Sequence, residues 1–225
     1  IAVRACGHMC VVNSRALKLL GLDSPVAVDG GSMDTDSDGR LLGIFRENAM
    51  NLVYDRMPAF TLEDVKAMLL TAAEEVNRYG VTSVQSDDFL ALPSVSYEMV
   101  TRAYETLAAE GRLTVRVNEQ CQLGDAKHLR EFLKVYDYTK YPGSGVRRAD
   151  RTAPSRMFKQ GPLKILGDGS LGARTAFMSE PYSDSPNNRG IEVYRYPVLR
   201  EMIAIAHDAG MPVCIHAIGD GMMDS

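Results

Sequence analysis

Four short apolar runs, each reached through a segment of helical period, limit what this chain can fold into. They are Gly-Val-Thr-Ser-Val from Gly80, Leu-Thr-Val-Arg-Val from Leu113, Leu-Lys-Ile-Leu from Leu163 and Pro-Val-Cys-Ile-His from Pro212. Thr61 opens the first helix with Glu63 and Asp64 in its first turn. Leu62, Val65, Met68, Leu69, Ala72, Val76 and Tyr79 then recur at helical spacing until Gly80 stops it. Ser96 opens a second helix that Gly111 closes, a third spans about Asp125 to Tyr138, and Pro197 opens a fourth that reaches Ala209. Short apolar strands alternating with helices predict an α/β fold, a parallel sheet with helices covering its outside. An open doubly wound sheet and part of a (β/α)8 barrel of the TIM type both satisfy this pattern.

The organisation predicted is a loop-rich segment over residues 1–60, followed by the parallel α/β part over 61–225. In the first segment Asn13 or Ser14 caps a helix that Gly21 ends after Leu20. DGGSMDTDSDGR, Asp29 to Arg40, has the aspartates of a calcium loop. The glycine and closing glutamate that an EF-hand requires fall at the wrong positions, so the stretch reads as a surface turn before a short strand from Leu41. In the second part Tyr141 to Gln160 is basic, rich in Gly, Ser and Pro, and without period, and reads as a loop over a cleft.

One apolar run is chemically out of place. GPLKILGDGSLGART, Gly161 to Thr175, carries Lys164 inside a strand and Asp168 at its end. Side chains alternate along a strand, which would put Lys164, Leu166 and Asp168 on one face. Three readings follow from the residues: a structural ion pair between Lys164 and Asp168, a Schiff-base lysine made nucleophilic by desolvation, and a lysine at a metal site. In the last case the ammonium would first have to become an anion, for example by carbamylation.

LKILGDGSLGARTAFMSEPYSDSPNNRG followed by MPVCIHAIGD, with GHMCVVNSRALKLLGL and GVTSVQSDD earlier in the same order, resembles the YtcJ-like (amidohydrolase 3) branch of the metal-dependent amidohydrolases. That resemblance implies a (β/α)8 barrel with its chemistry where strands give way to loops. It implies metal ligands at Lys164, as a carboxylated lysine, and at His216 through an imidazole nitrogen. The cofactor implied is one or two divalent ions, zinc foremost. Asp168 becomes the candidate catalytic residue, placed to orient Lys164 or hydrogen-bond a ligand, and Arg174 a candidate for gripping a substrate carboxylate with both prongs of its guanidinium. His8, with Gly7, Asn13, Ser14, Ala16 and Leu17, matches a motif that lines or supports the substrate cleft. Family members also carry an HxH pair on the first strand, a further histidine on the sixth and an aspartate on the eighth. None of these is present, so the chain reads as an internal fragment that would not turn over substrate alone.

The activity implied for the parent protein is hydrolysis of an amide or other C–N bond of a small molecule by metal-activated water. An inert binding or regulatory member of the same fold and a Schiff-base enzyme are the competing classes. A net charge of -4 argues against a nucleic-acid partner, and no apolar run approaches the length of a membrane span. The four cysteines lack disulfide spacing, which predicts a reducing, cytoplasmic setting. Cys6, His8 and Cys10 form C-x-H-x-C without the second ligand pair of a zinc site. Half a barrel leaves sheet edges through which copies of the chain would associate as a homo-oligomer.

Overall fold

The computed structural model describes residues 1–4, 9–28, 31–57, 59–91, 95–149, 155–172 and 174–224. The chain divides into two compact units, Ile1–Phe60 and Thr61–Ser225.

The first unit is a four-stranded antiparallel sheet. Its strands are β1 (Ala2–Val3), β2 (Met9–Val11), β3 (Gly31–Thr35) and β4 (Leu41–Glu47), in the order β1-β2-β4-β3. Helix α1 (Ser14–Leu20) is capped by Asn13, whose side chain accepts from the Ala16 N–H at 2.9 Å. Cys10, Phe45, Ala49 and Val53 are fully buried in its core, and α2 (Asn51–Tyr54) closes the unit. The surface turn expected over Asp29 to Arg40 is shorter than that. Gly31–Thr35 is a strand, and the turn is held by Asp36, whose carboxylate accepts from the N–H groups of Asp38 and Arg40. Pairing with β4 outweighs the weak strand preference of Gly, Ser and Asp here.

The second unit runs α3 (Leu62–Arg78), β5 (Ser83–Ser86), α4 (Tyr97–Ala109), β6 (Arg116–Gln122), α5 (Ala126–Val135), a small antiparallel pair β7 (Tyr136–Asp137) and β8 (Val146–Arg147), β9 (Phe158–Leu166), α6 (Tyr196–Asp208), β10 (Val213–His216) and α7 (Asp220–Met223). Thr61 and Asp64 close a reciprocal capping box at the start of α3. Ser96 and Asp125 cap α4 and α5. The sheet order is β10-β9-β6-β5 with every pair parallel. Spatial order thus follows chain order without the reversal that marks a doubly wound sheet, which is the winding of a barrel segment.

Along β9, Leu163 and Ile165 are buried while Lys164 and Leu166 on the opposite face are half-exposed. A bulge sets this phase. Between Glu119 and Cys121 of β6 the partner strand advances from Gln160 to Leu163, one residue more than β6 does. The extra residue falls at Gly161-Pro162, where proline has no N–H to give to a ladder and a Cβ on Gly161 would lie 2.3 Å from Asn118 Oδ1. Beyond the bulge Lys164 pairs with Gln122, so it shares a face with Asn118 and Lys159 although it is an odd number of residues from Lys159.

Two sequence boundaries move. The strand expected from the run Leu-Thr-Val-Arg-Val continues past Val117 to Gln122, which places Asn118 and Glu119 in its middle. The aperiodic stretch ending at Gln160 contains β8 and the first three residues of β9. Both shifts have one cause: polar residues that read as loop face a half-open side of the sheet or a buried polar partner.

Candidate functional site

Lys164 and His216 stand on neighbouring parallel strands. The register pairs Lys164 with Cys214 and His216 with Leu166, so the four residues share one face, with the lysine and histidine on a diagonal at the carboxyl end of the sheet. Among the described residues no group forms an ion pair or hydrogen bond with the Lys164 ammonium. Its charge nonetheless acts on Asp87, just beyond β5, and on Cys214. The Asp87 charge acts on Cys214 in turn, so the three groups lie within electrostatic range of one another.

The ion pair between Lys164 and Asp168 that the sequence allowed does not form. β9 ends at Leu166, and the Asp168 carboxylate is buried against the loops that follow β9 and β10. Its Oδ2 accepts from the backbone N–H of Gly219 at 2.7 Å and of Phe177 at 2.9 Å, and its Oδ1 from Ile218 at 3.0 Å. Burial alone would raise the pKa of this carboxyl. The three donors, with a smaller contribution from His216, outweigh burial and hold it below the usual carboxylate range. Gly219 is required at this junction because a Cβ there would sit 1.8 Å from the Phe177 carbonyl oxygen.

His216 is oriented by the same loop. Its Nε2 lies 2.9 Å from the carbonyl oxygen of Gly169 and 3.8 Å from Asp168 Oδ1. A carbonyl oxygen only accepts, so Nε2 carries the hydrogen, and in the neutral ring the lone pair is on Nδ1. A ring nitrogen bonded to a backbone carbonyl while the other keeps its lone pair is the arrangement that supports metal-ligating histidines.

Arg174 is exposed, with a left-handed backbone (φ 55), and both prongs of its guanidinium are on Asp184: Nε reaches Oδ1 at 3.0 Å and Nη2 contacts Oδ2. A substrate carboxylate would have to displace Asp184. His8 and the C-x-H-x-C reading built on it lie outside the described residues.

A second polar group, just beyond the end of β5 and in the middle of β6, carried no assigned role in the sequence. Asp88 accepts from Ser86 Oγ at 2.5 Å and from the Tyr104 hydroxyl, and its own N–H donates to Glu119 Oε1 at 2.7 Å. Glu119 is completely buried and its Oε2 has no partner; Asp87 Oδ1 is likewise buried and unpartnered. Burial, then the charges of Asp88 and Asp87, push the Glu119 carboxyl up to about 8. Burial also raises Asp87, against the opposing influence of Lys164. The signal available in the sequence was the acidic pair Asp87-Asp88 directly after a strand.

Among the described residues no group of three or more His, Cys, Asp or Glu side chains could hold a metal ion. What the sheet does offer is an imidazole lone pair and a lysine amine on one face. A lysine cannot ligate as an ammonium but supplies two oxygens as a carbamate, so these residues fit one side of a divalent site.

YtcJ of Bacillus subtilis (strain 168), which bears the name amidohydrolase, is 32% identical over 218 residues, covering 96% of this chain and 37% of the relative. Protein LONG AFTER FAR-RED 3 of Arabidopsis thaliana is 26% identical over 226 residues, covering 99% of this chain and 36% of the relative. The crystal structure of an uncharacterized metal-dependent hydrolase from Pyrococcus horikoshii OT3 superposes with a TM-score of 0.70 at 28% identity, covering 99% of this chain and 40% of that one. The chain therefore spans little more than a third of the curated relatives it matches. No helix among the described residues is long and apolar enough to cross a membrane. The family model described as the amidohydrolase family matches residues 1–225, and the chain belongs to that family.

Proposed function

We propose that this chain contributes one side of the centre of a metal-dependent hydrolase that cleaves an amide or other C–N bond of a small molecule. The observation that carries the reading is the diagonal placement of Lys164 and His216 on one face of β9 and β10, with the lysine in no direct ion pair among the described residues. A half-exposed lysine inside a strand, beside a histidine and without an ion pair, contributes little as packing and is better explained by a ligand-holding role.

In this reading Lys164 and His216 hold a divalent cation, zinc for preference, the lysine as a carbamate and the imidazole through Nδ1. Carbamylation joins the deprotonated amine nitrogen to the carbon of CO2 and releases one proton to solvent. The ion, when bound, supplies Lewis acidity and lowers the pKa of a coordinated water. The chain's own groups do the positioning. Gly169 fixes the His216 tautomer, and Asp168 ties the β9 and β10 loops together so that the ring stays in place. Asp168 thus acts through His216 and the loops, without touching the reacting atoms.

Two donors do not complete a metal site, so the 225-residue chain alone is expected to show no turnover. The test is metal content and amidase activity of the full-length protein, for the wild type and for Lys164→Arg and His216→Ala. Each variant should lose bound metal and at least about a thousandfold in kcat/KM, an effect of about 4 kcal/mol. Full metal occupancy in Lys164→Arg sinks the carbamate. Trapping of a carbonyl compound on Lys164 by borohydride would replace the reading with Schiff-base chemistry.

A further inference from the structure

The basic stretch between Tyr141 and Gln160 has no place in this reading, and the structure separates its cations into two kinds. Arg147 is compensated: its Nε is 3.5 Å from Glu105 and its guanidinium lies 5.4 Å from the centre of the Tyr136 ring. Arg148 is compensated by Asp137 at 3.5 Å and by the Leu133 carbonyl at 3.1 Å. Arg151 lies outside the described residues. Arg156 and Lys159 differ from these. With Arg116 they line one hollow of about 250 Å³, together with Ser83, Asn118 and Gly143. Among the described residues no ion pair or hydrogen bond engages any of the three cationic side chains.

The register explains the convergence. Ser83 pairs with Arg116 and Asn118 with Lys159, which puts four of these side chains on one face at the amino end of β5, β6 and β9. Lys164 is on the same face five residues further along β9, roughly 16 Å away at the usual rise of a strand. The hollow is thus separate from the candidate metal centre. Three like charges around one small volume repel one another unless an anion sits among them. Two guanidiniums, an ammonium and the Ser83 hydroxyl match an oxyanion with several acceptor oxygens. The buried Asn118 oxygen has no partner, and an amide turned by half a turn in the same space would offer its NH2 to the same anion.

We propose that Arg116, Arg156 and Lys159 form a binding site for a phosphate-sized oxyanion, free or as the terminal group of a small molecule. The probe is inorganic phosphate, titrated into the full-length protein against chloride at constant ionic strength and followed by calorimetry and thermal denaturation. Saturable, phosphate-specific binding is expected. Arg116→Gln and Lys159→Gln should each weaken it at least tenfold, Arg116→Lys should weaken it less, and Lys164→Arg should leave it unchanged, so that this site and the hydrolase reading fail separately. A response equal to that of chloride, or binding that survives both glutamine variants, overturns the proposal. So does an absent phosphate response in a protein that Arg116→Gln and Lys159→Gln destabilise, because the counter-charge is then an acidic side chain of the same protein.

Discussion

Asp168 and Glu119 are two buried carboxylates of the same α/β unit, and their surroundings drive them in opposite directions. Both lose the solvation that favours ionisation. Asp168, where β9 and β10 give way to loops, regains it from three backbone N–H groups and stands near His216. Glu119, in the middle of β6, accepts from the Asp88 N–H at 2.7 Å, has one oxygen without a partner and feels two acidic neighbours. Burial therefore does not decide the charge of a carboxylate; the donors aimed at it do. At the loops of β9 and β10 the fold prepares a fixed anion beneath the candidate metal ligand. At β6 it keeps a carboxylic acid that holds its proton near neutrality.

Removing Asp168 should have the largest effect. Asp168→Ala leaves three N–H donors without their acceptor and should lower folding stability by about 3 kcal/mol or more, read as a shift of the denaturation midpoint. The pH dependence has a definite sign. The folded pKa is depressed, so the contribution is complete above the unfolded value of about 3.9 and disappears as pH falls through the folded value. The gap between wild type and Asp168→Ala should accordingly be wide at pH 7 and narrow below about pH 3.9. A gap that stays the same width across that range would show that the N–H bonds do not depend on the charge.

Glu119→Gln should act with the opposite sign. Below about 4.3 folded and unfolded states both hold the proton, and the residue contributes nothing pH-dependent. From there up to about 8 the folded state keeps a proton that the unfolded chain has lost, so stability falls as pH rises. Glutamine cannot ionise, and its NH2 replaces the unpartnered oxygen. The variant should match the wild type at pH 5 to within about 1 kcal/mol and exceed it by about 3 kcal/mol at pH 9. Equal destabilisation at both values would mean that Glu119 is charged and paired in the folded protein.

The two carboxylates were unequally legible. Thr61, Ser96 and Asp125 announced their helices because a cap acts within three residues, and those caps are present. Lys164 stood out as a cation in an apolar run, but its face could not be counted from the sequence. The Gly161-Pro162 bulge changes the alternation, and it depends on the approach of Asn118 from another strand. Asp168 was marked by the motif but not by its partners, two of which lie 50 and 51 residues further along the chain. Glu119 comes just after the apolar run from Leu113, where a polar residue usually marks a strand exit. Its surroundings come from Asp88, 31 residues away. Arg174 was read for its fork, and the same fork holds Asp184 at the surface.

The smallest effect isolates the term that separates the two sites. Asp88→Asn removes the larger of the two acidic influences on Glu119, second only to burial, while keeping an oxygen that can accept from Ser86 or Tyr104 and an N–H that can still donate to Glu119. The Glu119 midpoint, followed by the carboxylate band in infrared difference spectra against Glu119→Gln, should move down toward the ordinary glutamate range without reaching it, because burial and Asp87 remain. A midpoint that does not move would leave the displacement to desolvation and Asp87, with no part for the Asp88 charge. A midpoint that falls all the way to the solution value would show instead that the pocket is wet, since burial and Asp87 would otherwise keep it raised.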